Sequence, residues 1–70
     1  MDLDFGPLRV EHRRPDGSVH LLAETPSWAD AARAARQAIG ALGRTGQRGT
    51  VAIVATVSGE DVGAHALAAP

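Results

Sequence analysis

Thr50-Val51-Ala52-Ile53-Val54-Ala55-Thr56-Val57 carries no charge, no glycine and no proline. Read as a strand, it turns Val51, Ile53, Ala55 and Val57 to one face and Ala52, Val54 and Thr56 to the other. Both faces are apolar, and such a strand needs cover on both sides. The rest of the chain supplies one good helix, so one face of the sheet is expected to lack a second layer.

Upstream, Leu8 to Arg14 alternates, with Leu8, Val10 and His12 on one face and Arg9, Glu11 and Arg13 on the other. Pro15-Asp16-Gly17-Ser18 is a turn signal, and Val19 to Glu24 resumes the strand, which together read as a β-hairpin. An even loop closing Arg14 on Val19 keeps Leu8, Val10 and His12 on one face with Val19, Leu21 and Ala23, and sets Arg9 opposite Glu24. A three-residue loop closing Arg14 on Ser18 mixes polar and apolar residues on both faces, so the even loop is the expected register.

Ser27-Trp28-Ala29-Asp30 reads as a helix start, with Ser27 as N-cap and the Asp30 carboxylate reaching back to it. The expected helix runs from Trp28 to Leu42, with Gly43 as its left-handed terminator. Trp28, Ala31, Ala32, Ala35, Ala38, Ile39 and Leu42 form its apolar stripe. Most of these are alanines, so Trp28, Ile39 and Leu42 are the expected anchors. Gly43 to Gly49 follows as a polar loop, Ser58 to Gly63 reads as a turn, and Ala64 to Pro70 as an edge strand or loose tail. The fold class expected is α+β, in the order ββαβ(β): a three- to four-stranded, mostly antiparallel sheet with one helix packed on one face. A parallel placement of the third strand beside the second is the alternative, through a right-handed crossover. Residues 1–70 are read as a single domain with 1–6 and 64–70 frayed.

Seventy residues lie near the lower limit for independent folding. There is no Cys, hence no disulfide, and Phe5 and Trp28 are the only aromatic residues. Oligomerisation is the remaining staple. Seven Arg and no Lys stand against eight Asp plus Glu, for a net charge of −1. That balance lacks the broad basic signature of a nucleic-acid binder. The Arg-, Ala- and Gly-rich usage fits a bacterial source. The N-terminus has no signal-peptide character, and no apolar run reaches the length of a membrane span, so a cytoplasmic location is the expectation.

Sites of chemistry are few. His12 and His20 fall on opposite faces in the even register, so no metal site is expected. The loop Gly43-Arg44-Thr45-Gly46-Gln47-Arg48-Gly49 has the composition of a phosphate cradle but follows a helix and lacks the Lys-Ser/Thr ending. Arg9, Arg13 and Arg14 on the hairpin, with Arg44 and Arg48 in the loop, are the candidate anion contacts, and Glu11 and Glu24 interrupt the hairpin patch. No nucleophile elbow and no acid–base pair in a walled pocket is visible, so neither a catalytic residue nor a cofactor is expected.

The segment Val19-His20-Leu21-Leu22-Ala23-Glu24 followed by Ser27-Trp28-Ala29-Asp30-Ala31 resembles the core of HicB-type antitoxins, in which a strand leads into a capped, Ala-rich helix. The likeness covers a minority of the chain. The longer strand meander and appended DNA-binding segment usual in that family are missing, so it assigns no family. The functional expectation is a non-catalytic interaction or structural module acting as a homodimer, with Leu22, Ala52 and Val54 on the outer sheet face as the contact, or sheet-edge pairing through the third strand or the tail. Nucleic-acid or polyanion binding through the basic hairpin ranks second, and small-ligand binding in an oligomer cleft third.

Overall fold

The computed structural model describes residues 6–67. The elements in chain order are β1 (Leu8–Arg13), β2 (Val19–Thr25), α1 (Trp28–Arg44), β3 (Gly49–Ala55) and β4 (Glu60–Leu67). They form a four-stranded sheet in the order β2-β1-β3-β4, antiparallel at each pairing, with α1 across one face. The third strand thus joins β1 and not β2, and the parallel alternative does not occur. Residues 64–67 belong to β4; the fraying expected at 1–5 and 68–70 lies outside the described residues.

The hairpin contains both registers. At the turn, Arg14 N–H donates to the Ser18 carbonyl at 2.8 Å and Gly17 N–H to the Arg14 carbonyl at 3.0 Å, which closes a three-residue loop. The Asp16 carboxylate accepts from both the amide and the hydroxyl of Ser18, at 2.8 and 2.7 Å. This local chemistry outweighs the alternation argument. Arg13 then pairs with Val19, His12 with His20 and Glu11 with Leu21. Leu22 is an extra residue, a β-bulge, and beyond it the even register returns with Val10 opposite Ala23 and Arg9 opposite Glu24. Three expectations are corrected. Leu22 packs on the helix side and not on the outer face. Val19 and Leu21 turn outward and remain 56% and 49% exposed. His12 and His20 are direct cross-strand neighbours.

The helix begins as read: Ser27 Oγ accepts from the Asp30 amide at 3.3 Å. Its reciprocal arm is absent, because Ser27 N–H donates to Thr25 Oγ1 and the Asp30 carboxylate pairs with Arg33. The helix continues past Gly43 to Arg44, and the left-handed residue is Gly46, at φ 74°. Ala31 and Ala35 are its buried residues, with Ala38, Ile39 and Leu42 partly buried, so the alanines bring the helix axis close to the sheet. Trp28 is 39% exposed and does not anchor the core.

The core lies between α1 and the facing side chains Leu8, Val10, Val51, Ile53 and Ala55. His12 shares that face and is buried; its Nε2 donates to the Arg48 carbonyl at 2.8 Å, which ties the helix–strand connection to β1. At the same junction Gly49 has φ 110°, and a Cβ there would collide with the Arg13 carbonyl oxygen. Only glycine lets β3 begin this close to the end of β1. β3 ends at Ala55, leaving Val57 beyond the strand and 83% exposed. β4 starts at Glu60, earlier than the turn reading placed it, and carries its own bulge at Val62.

Candidate functional site

Two surfaces stand out, and only the first holds residues that the sequence singled out as candidate contacts. On the outer face of the sheet, Ala52 and Val54 are fully buried within one chain. What covers them is a lattice of long charged side chains. Glu11 accepts from Arg9 Nε at 3.1 Å and from Arg13 Nε at 2.9 Å. Arg13 also donates through both terminal nitrogens to Asp61, at 2.7 and 2.6 Å. Arg13 is level with Thr50 and Asp61 with Val54, so the guanidinium reaches diagonally across β3 over Ala52. Its hydrocarbon stem supplies apolar cover while its head stays paired. Hydrogen bonding to Asp61, and then to Glu11, drives the Arg13 pKa above its ordinary value. The same bond holds the Asp61 carboxyl below the usual carboxylate range.

This lattice corrects the premise of a bare outer face: Val51 to Ala55 is buried on both sides without a companion chain. It also divides the candidate anion contacts. Arg9 and Arg13 are committed to carboxylates. Arg14 sits at the hairpin turn, 3.4 Å from Ser18 Oγ. Arg44 closes the helix, and Arg48 lies in the connection that holds His12. The amides of Thr45, Gly46 and Gln47 donate to the helix carbonyls of Ala41, Gly43 and Leu42. They are therefore turned toward the negative end of the helix and not outward as a cradle.

The second surface was not anticipated as a site. α1 lies chiefly over β2, β1 and β3 and least over β4. The gap is an open groove of about 250 Å3 between α1 and β4. Trp28, Ala32, Ala35 and Ile39 form its helix wall, Val51 and Ile53 its floor, and Gly63 its strand side. Arg36 and His65 also line it, and the lining is almost entirely apolar. Gly63 matters because it has no side chain to fill the space facing Trp28 and Ile53. Among the described residues, the outward edge of β4 has no neighbouring strand. The sequence did contain the signal: Trp28, Ala32, Arg36 and Ile39 at helical spacing, and a glycine inside a strand.

Among the described residues, no group of three or more His, Cys, Asp or Glu side chains is placed to hold a metal ion, and no helix is long and apolar enough to cross a membrane. No protein-family model, curated protein or solved structure matches the chain.

Proposed function

We propose that this chain is a non-catalytic interaction module that works as a homodimer. The observation that supports it is the apolar groove running beside an unpaired sheet edge. Unpaired edges are templates for strand addition, and an adjoining groove gives such pairing a hydrophobic contribution. Light scattering on a size-exclusion column tests the reading. The expected mass is about twice 7.2 kDa at micromolar concentration, falling on dilution. A mass that stays near 7.2 kDa at the highest attainable concentration rejects it.

The volume of the groove supports a second reading, in which the dimer binds a small apolar ligand. About 250 Å3 in one chain is just under the roughly 300–1,000 Å3 usual for ligand sites, and two grooves brought together exceed that limit. Trp28 is the only Trp and stands on the groove, so its emission should shift when an apolar dye is titrated in. Unchanged emission at saturating dye removes this reading.

A further inference from the structure

We infer that the groove is closed by a second copy of the chain, with β4 pairing antiparallel to β4 of that copy across a two-fold axis at Ala64. This rests on the homodimer reading and specifies its surface. The result is one continuous eight-stranded sheet with both helices on the same face, and the two grooves merge into a single apolar trough over the junction.

Three features of β4 carry the inference. The first is face matching. Glu60, Gly63, His65 and Leu67 are paired with helix-side positions of β3, and Asp61, Ala64 and Ala66 with outer positions. Setting Ala64 against Ala64 of the second copy places Gly63 opposite His65. Past the Val62 bulge it places Asp61 opposite Ala66 and Glu60 opposite Leu67. Every pair then lies on a common face, which antiparallel pairing requires.

The second feature is charge. Arg36 and His65 are among the residues that line the groove, and the strand begins with Glu60. None of these three side chains has an ion pair among the described residues. The two-fold carries Glu60 of the second copy to the His65 end of the first, one diagonal step away across the new strand pair and beside Arg36. Diagonal neighbours are within reach of long side chains. The match occurs twice by symmetry, as a self-complementary interface demands.

The third feature is size. Gly63, Ala64 and Ala66 put little bulk on either face of the new strand pair, so neither face is crowded at the junction. The opposite edge lacks this combination. β2 carries no glycine and a single alanine, and its exposed Val19 and Leu21 stand on the outer face, away from the helix.

The native chain has no Cys, so a single thiol reports the geometry directly. Directly opposed residues in an antiparallel pair have Cα atoms about 4.5–5.5 Å apart, inside the range a disulfide spans. Ala64 is exposed in one chain, so Ala64→Cys should fold normally. Under mild oxidation Ala64→Cys is expected to form covalent dimers at least tenfold faster than Val57→Cys, whose exposed site is away from the axis. Equal, slow rates in a protein that light scattering shows to be dimeric would overturn this interface and leave the homodimer reading standing. A monomeric native protein would overturn both. Glu60→Arg and Arg36→Glu should each weaken the dimer about tenfold, and the double variant should recover most of the loss. Failure of the double variant to recover overturns the charge match.

Discussion

The two faces of β3 are equally well buried, and they reach that state by different physics. On the helix face, apolar side chains from α1, β1 and β3 meet in a packed layer around Val10, Val51 and Ala31. On the outer face the described residues supply no second layer. There Arg9, Glu11, Arg13 and Asp61 lie flat across the sheet and roof Ala52 and Val54 with their own stems. A strand that is apolar on both sides therefore does not require two protein layers. Small residues beneath long, mutually paired charged ones suffice, because the ion pairs hold the aliphatic stems in place.

If that contrast is right, the helix face should dominate stability. Leu8 is 1% exposed on that face, and Leu8→Ala should destabilise the fold by roughly 2–5 kcal/mol, measured by urea unfolding at fixed protein concentration. A loss under about 1 kcal/mol would mean that the helix face is not the principal core. The outer face should respond less. Arg13→Ala removes both its ion pairs and its cover, for an expected loss of about 1–2 kcal/mol, discounted because the side chain is 36% exposed. Arg13→Met sharpens the comparison, since it keeps the stem and deletes the charge. Recovery of half the loss or more assigns the roof to apolar cover; no recovery assigns it to charge.

Acid titration addresses the outer face, through Asp61. Asp61 has a depressed pKa in the folded chain, so its contribution is complete above the ordinary carboxylate value and fades as pH falls through the folded-state value. Thermal unfolding should show Asp61→Asn less stable than the native chain at pH 7, with the gap closing below about pH 4. A gap that is constant across this range would show that the Arg13–Asp61 pair adds nothing that depends on ionisation. The smallest expected effect is at Val57, 83% exposed and belonging to neither face. Val57→Ala should change stability by less than about 0.5 kcal/mol, and a larger change would point to a contact outside both layers.

Legibility in the sequence followed how local each decision was. The third strand, the Ser27 cap and the hairpin itself rest on neighbouring residues; the cap and the hairpin stand in the structure, and the strand does too, though it runs Gly49–Ala55 and stops short of Thr56 and Val57. The hairpin register was half legible. Asp16 and Ser18 set the loop through short-range hydrogen bonds, and the Leu21-Leu22 doublet marks where the alternation breaks. Without knowing that a bulge sits there, parity assigns Leu22 to the wrong face. The groove was less legible, because it depends on how far α1 stands from β4, which no local pattern encodes.

The residue pattern by itself determined the α+β class, the order strand, strand, helix, strand, and the capped Ala-rich helix, while leaving the last strand open, since periodicity, capping and turn chemistry act over a few residues. Tertiary structure alone decided that β3 lies between β1 and β4, that Arg13 spans the sheet to Asp61, and that Trp28 faces an open groove and not a core. Each of these joins residues far apart in the chain. Which distant side chains meet is set by strand order and helix placement, and those are properties of the whole packed domain.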